Sequence, residues 1–131
     1  ACGAIMDYET QERKTALLLS VELEQVDAIF ALVAAGANPN HETSAADTAL
    51  IHAVADEKHK AVAALLMHGA KANYETRHGR TAPMEAVRLK NHGMMEIFSP
   101  GPATWDYENK LGRTALMVAV EAEAAETIVY L

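Results

Sequence analysis

The sequence predicts an all-α solenoid, a stack of helix–turn–helix units joined by hairpin-like loops. Three observations carry that prediction. A block of 33 residues recurs along the chain, the mark of a repeat architecture. Hydrophobic residues make up 50% of the 131 positions but aromatic ones only 5%, and alanine is abundant. That composition suits helices packed closely over small side chains better than it suits a sheet sandwich. Within each block the apolar residues also fall at helical spacing.

The register is anchored by Thr15, Thr48, Thr81 and Thr114, which open the segments Thr-Ala-Leu-Leu, Thr-Ala-Leu-Ile, Thr-Ala-Pro-Met and Thr-Ala-Leu-Met. Each threonine stands where a hydroxyl can serve the unpaired amides of a helix N-terminus. Six residues on come Val21, Val54, Val87 and Val120, each preceded by a small residue, Ser20, Ala53, Ala86 or Ala119. In the second block Leu50, Ala53 and Val54 lie at i, i+3 and i+4, as one buried helix face requires. A second helix follows with Ala61, Val62, Leu65 and Leu66 on one side, and Gly69 suits the left-handed residue that ends it. Gly3 and Gly36 keep the same spacing. In the third block Pro83 falls in a first helical turn, where proline is tolerated. Pro100 and Pro102 stop the following helix near Phe98. No block can bury both faces alone, so neighbours must stack.

The period, the Thr-x-Leu opening and the Gly-Ala-x-x-Asn endings at Gly36 to Asn40 and Gly69 to Asn73 resemble the ankyrin repeat family. The resemblance covers essentially the whole chain. It implies a single array with units at 8–40, 41–73 and 74–106, a partial unit at 107–131, and the end of a preceding repeat at 1–7. The family's proline becomes Ala16, Ala49, Ala82 and Ala115 here. Its histidine becomes Leu18, Ile51, Met84 and Met117, which exchanges a polar contact between repeats for packing. Neither end reads as a polar capping unit, so a fragment of a longer chain is expected.

Composition narrows the function. The net charge is -7, with 18 acidic residues against 11 basic ones, which disfavours nucleic acid as a partner. The single cysteine, Cys2, forms no disulfide within the chain and fits a reducing compartment. The longest apolar run, Ala28 to Ala37, is too short to cross a bilayer. No secretory leader is evident. A cytoplasmic or nuclear location is the expectation, and the family resemblance adds cytoskeletal association as an option.

Catalytic signatures do not emerge. The sequence has no Gly-x-Ser-x-Gly, no phosphate loop, no Gly-x-Gly-x-x-Gly, no His-x-x-x-His and no Cys-x-x-Cys. His41, His52, His59, His68, His78 and His92 are scattered, without metal-ligand spacing on one helix. The expectation is therefore a protein that is not an enzyme and needs neither cofactor nor metal.

The candidate contact residues come from the register. Glu9, Glu42, Glu75 and Glu108 recur at the hairpin tips, each after a ring: Tyr8, His41, Tyr74 or Tyr107. Stacked units place them in a row along the edge that the family resemblance makes a partner-binding surface, an acidic and aromatic stripe fit for a basic partner. The alternative is that the row serves hairpin geometry, its charge neutralised by Arg77, Arg80, Lys110 and Arg113. Those cations, with Gln11, Lys14, Ser44 and Asp47, also line the expected groove. Trp105, beside the proline segment, is either a partner anchor or a cover for the shortened helix.

The resemblance thus implies a protein–protein interaction module, a scaffold or adaptor binding through its concave hairpin and first-helix face. The Ala-Leu-Met form is also similar to ankyrin arrays of single-celled eukaryotes, some fused to kinases or tied to the cytoskeleton. That likeness keeps two alternatives open: a regulatory or targeting segment of a larger enzyme such as a kinase, or a structural component of a cytoskeletal assembly. Partner identity and oligomeric state do not follow from the sequence.

Overall fold

The computed structural model describes residues 8–98, 105 and 107–122. The described residues form seven α-helices and no strand: α1 Ala16–Glu22, α2 Val26–Ala34, α3 Ala49–Ala55, α4 His59–Met67, α5 Ala82–Arg88, α6 His92–Phe98 and α7 Ala115–Glu121. They belong to two compact units, Ala1–Lys71 and Ala72–Leu131. In the first, α1 pairs with α2 and α3 with α4, and the two pairs stack, α1 on α3 and α2 on α4. In the second, α5 packs against both α6 and α7.

Local chemistry sets where each first helix begins. Thr15, Thr48, Thr81 and Thr114 hold extended backbone as N-caps, and each hydroxyl accepts from an amide three residues on: Leu18, Ile51, Met84 or Met117. The bond measures 3.2 Å at Thr15 and Thr48 and lengthens to 3.5 Å at Thr114. Pro83 sits in the first turn of α5, as its missing amide requires. The second helices start differently. Gln25 and Lys58 make no side-chain cap, whereas the Asn91 side chain accepts from the Met94 amide at 3.0 Å at the start of α6.

The helix ends follow one scheme. At α2, the Gly36 amide donates to Val33 and the Ala37 amide to Leu32, the paired bonds that close a helix through a left-handed residue. The first helices close the same way, with Glu24, Glu57 and Lys90 holding φ of 50°, 57° and 57° where glycine is the usual choice. These residues also stand 33 apart, so the strain is part of the repeat. Between repeats, Thr10, Thr43, Thr76 and Asn109 each close a tight loop, their amides donating to Lys14, Asp47, Arg80 and Arg113. The loop tip needs a left-handed residue, and Arg13, Ala46, Gly79 and Gly112 fill it with φ of 61°, 59°, 75° and 72°.

The core is built from the small and β-branched rows. Ser20, Ala53, Ala86 and Ala119 are buried, which lets helix backbones approach closely. Val21, Val54 and Val87 are fully buried. Met84, Met94 and Met95 are core residues as well. Register alone does not secure burial, though: Leu116, Met117 and Val120 of α7 are 48%, 49% and 60% exposed, while their equivalents in the three earlier repeats are buried. Cys2, the segments 1–7 and 123–131, and Pro100 and Pro102 lie outside the described residues. So does the point where α6 gives way to the proline segment.

Thr48→Val keeps the side-chain shape and removes the cap acceptor, and is expected to cost about 1–2 kcal/mol in urea unfolding. Thr114→Val, with its longer bond at a more exposed position, is expected to cost less than half as much. Backbone strain gives effects of opposite sign. A Cβ at Gly79 meets Asn109 Nδ2 at 3.0 Å and Leu111 Cδ1 at 3.1 Å, so Gly79→Ala is expected to lose about 2 kcal/mol. Lys90→Gly relieves a left-handed lysine and is expected to gain about 0.5 kcal/mol. A loss of stability in Lys90→Gly would show that the Lys90 side chain outweighs its backbone.

Candidate functional site

Two clusters lie on the loop and first-helix side of the units, and each is built from repeat positions that differ in charge. The first belongs to the unit of α1 to α4. Lys14, just before its N-cap, reaches Glu22 at the end of α1, Nζ to Oε1 at 2.8 Å. Across the helix pair, His52 on α3 places Nδ1 3.1 Å from Asp47 and Nε2 3.0 Å from Glu22 and 3.2 Å from Asp56. Both ring nitrogens thus face carboxylates. The Asp47 bond, the Asp47 and Asp56 charges and the Glu22 contact raise the half-buried His52 above its ordinary 6.5, outweighing the opposing effect of burial. Glu22 is lowered, chiefly by Lys14 and also by His52.

Glu22, His52 and Asp56 also form the one trio among the described residues whose ligand atoms could hold a metal ion, all within 4.8 Å of one another. The metal check from sequence passed over it because Glu22 comes from the preceding repeat, 30 residues before His52. The Lys14 ammonium already provides a positive charge against Glu22.

The second cluster belongs to the unit of α5 to α7. Glu85 on α5 is almost fully buried, its side chain 5% exposed. Arg88 donates to it through Nε and Nη2, and Arg80 Nη2 lies 3.4 Å from Oε2. Burial alone raises this carboxyl, but the two guanidiniums outweigh it and hold Glu85 below the ordinary carboxylate value. Arg113 pairs with Glu121 along α7, repeating the Lys14–Glu22 spacing of α1. Asn109 Nδ2 donates to the Gly79 carbonyl at 2.6 Å and fixes one wall. Arg80, Glu85, Arg88, Asn109 and Arg113 line an open cavity of ≈350 Å³, together with Met84 and Val118.

On the expected hairpin edge, Glu9 and Glu75 bond to the loops that follow. Glu9 accepts from the Ser44 amide at 3.0 Å and from the Ser44 hydroxyl at 2.6 Å, with His41 Nε2 at 3.3 Å. Glu75 repeats the arrangement, accepting from the Lys110 amide at 2.8 Å and from the Tyr107 hydroxyl at 2.7 Å. Each carboxylate therefore ties its hairpin to the next, 32 and 35 residues on. Ser44 leads in lowering Glu9. Burial raises Glu75, but Tyr107 and Lys110 bring it below the ordinary value.

The other expected contact residues divide by exposure. Arg77, Glu108 and Lys110 are exposed, while Glu42, Tyr74 and Trp105 are partly buried, Trp105 in a turn. Arg80 and Arg113 pair with Glu85 and Glu121 on the first helices. Sequence reading missed His52 and Glu85 as members of charged clusters. They occupy equivalent positions 33 apart, a row filled by Leu19, His52, Glu85 and Val118 whose changing chemistry hid the common placement.

A family model for ankyrin repeats, comprising three copies, matches residues 17–103, more than half of the chain. No curated protein matches the chain. No helix among the described residues is long and apolar enough to cross a membrane.

The His52 cluster sets a pH dependence. Because His52 is raised in the folded state, its contribution is present in full below pH 6.5 and is lost as the pH rises through the higher folded value. Urea midpoints taken from pH 6 to 9 are expected to fall in the native chain more steeply than in His52→Gln. Parallel curves for the two proteins would contradict the assignment. On the acid side Glu9, Glu22, Glu75 and Glu85 are all lowered from 4.5, so the stability they contribute is present above that value and is lost as the pH falls below it.

Proposed function

Since the chain belongs to the ankyrin repeat family, whose repeats are protein–protein interaction modules, we propose that it acts as a scaffold or adaptor whose loop and first-helix face holds one partner protein. The observation that carries this reading is the contrast between rows of the repeat. The rows that build the fold barely change: four capping threonines, four small residues and four valines. The rows on the first-helix side vary in charge along the chain, Lys14, Asp47, Arg80 and Arg113 in one and Glu22, Ala55, Arg88 and Glu121 in another. A module that needed only to fold has no use for such variation, whereas a recognition surface does.

The hairpin glutamates enter this proposal mainly as supports. With Glu9 and Glu75 committed to neighbouring loops, the polar groups available to a partner shift toward the first-helix clusters. Glu42, Glu108, Tyr74, Tyr107, Arg77, Lys110 and Trp105 stand as rim candidates beside them. Affinity then depends on a few anchors within the face and not on the number of contacts.

Photo-crosslinking tests the face without disturbing its charges. A benzoylphenylalanine at exposed Leu23 or Ala55 is expected to capture the same protein from cell extract, while probes at exposed Ala31 and Ala63 on the second helices capture it weakly or not at all. Capture mainly from Ala31 and Ala63 would move the interface to the opposite side.

A further inference from the structure

The proposed function leaves the chemistry of the partner open, and the cavity in the unit of α5 to α7 narrows it. Three arginines, Arg80, Arg88 and Arg113, line this cavity against one carboxylate, Glu85. Glu121, outside the lining, pairs with Arg113, so the site carries a surplus of one positive charge in a chain whose net charge is -7.

The guanidiniums are held in place but not used up. Glu85 engages Nε and Nη2 of Arg88 and Nη2 of Arg80, Glu121 engages Nη2 of Arg113, and a guanidinium has five N–H donors. The three arginine side chains remain 40%, 57% and 37% exposed. Arg113 also carries a buried Nε that has no acceptor among the described residues, an arrangement that favours an incoming acceptor. Met84 and Val118 add apolar lining beside these donors. A carboxylate on a methylene stem uses both parts of such a site, whereas a bare inorganic anion uses only the donors.

We infer that this cavity receives an aspartate or glutamate side chain from an acidic segment of the partner protein, with Arg113 and Arg88 as its principal donors. The inference rests on the protein-binding reading above and adds the charge of the partner. At ≈350 Å³ the cavity lies at the small end of ligand sites, suited to one or two side chains and not to a folded element.

The test measures binding of a fluorescein-labelled hexaglutamate peptide to the full chain by anisotropy, with hexaglutamine as the uncharged control. Hexaglutamate is expected to bind at least roughly tenfold more tightly than the control and to weaken with added salt. Arg113→Gln, and the paired change Arg88→Gln with Glu85→Gln that removes both charges together, are each expected to reduce affinity roughly tenfold. Lys60→Gln, at an exposed position of α4 in the other unit, is expected to leave it unchanged. Circular dichroism and urea midpoints establish that each variant is folded, and a variant that fails this check is replaced by Arg80→Gln.

Three results would overturn the inference: no preference for hexaglutamate, equal binding by the folded arginine variants, or displacement by millimolar inorganic phosphate that chloride at the same ionic strength does not reproduce. The last result would make this a phosphate site. If the probes at Leu23 and Ala55 still capture a protein while hexaglutamate fails, the protein-binding reading stands and the acidic anchor falls. If the probes capture nothing, the protein-binding reading falls with it.

Discussion

Helices of seven residues, such as α1, α3, α5 and α7, are too short to persist in water on their own, so everything in this chain depends on burying one face of each against a neighbour. In the first unit that burial is direct: α1 lies on α3 and α2 on α4, with Val21, Val54, Ala53 and Ile51 removed from solvent. The small residue before each valine is the geometric condition for this contact, because a larger side chain would hold the backbones apart. Apolar stacking is not directional, however, and would tolerate helices sliding past one another. Directional bonds therefore have to fix the register. Glu9 reaching Ser44, Glu75 reaching Lys110 and Asn40 reaching the Lys71 amide each span about one repeat and do so.

Once the register is fixed, the positions that face neither core nor neighbouring hairpin become free to differ, and they differ mainly in charge. The cluster around His52 combines three carboxylates with one lysine and one histidine. The cluster around Glu85 combines one buried carboxylate with two arginines, beside the Arg113–Glu121 pair. The same scaffold thus presents an acidic patch in one unit and a basic one in the other. Local composition of this kind, more than the net charge of the chain, sets what can approach each face. Keeping Glu85 buried also serves a mechanical purpose. A carboxylate in that position aligns two long arginine side chains and restricts their rotamers in the folded chain.

Several structural features were present in the sequence but hidden by residue identity. The tight loops between repeats rest on Thr10, Thr43, Thr76 and Asn109, a row 33 apart whose last member is asparagine; its side-chain oxygen accepts the Leu111 and Arg113 amides much as the threonine hydroxyls accept theirs. The left-handed residues Glu24, Glu57 and Lys90 were equally periodic, but a glutamate or lysine gives no local sign of positive φ. By contrast, the capping threonines, Gly36 and Gly69 were legible because their chemistry has few other uses at those positions.

What the sequence determined by itself is whatever a single repeat can express: the 33-residue period, the helix starts at Thr15, Thr48, Thr81 and Thr114, the small and valine rows, and membership in an all-α repeat family. These depend on contacts within a few residues or on a pattern that recurs unchanged. Tertiary structure alone decided the partners of groups that meet across repeats. It turned Arg80 and Arg113 toward the first helices, set His52 among Glu22, Asp47 and Asp56, tied Glu9 and Glu75 to the following hairpins, and left Leu116, Met117 and Val120 exposed where their counterparts are buried. The physical reason is that a long charged side chain can satisfy itself in several directions at similar free energy. Only the placement of the neighbouring repeat, about 30 residues away in sequence, selects among them.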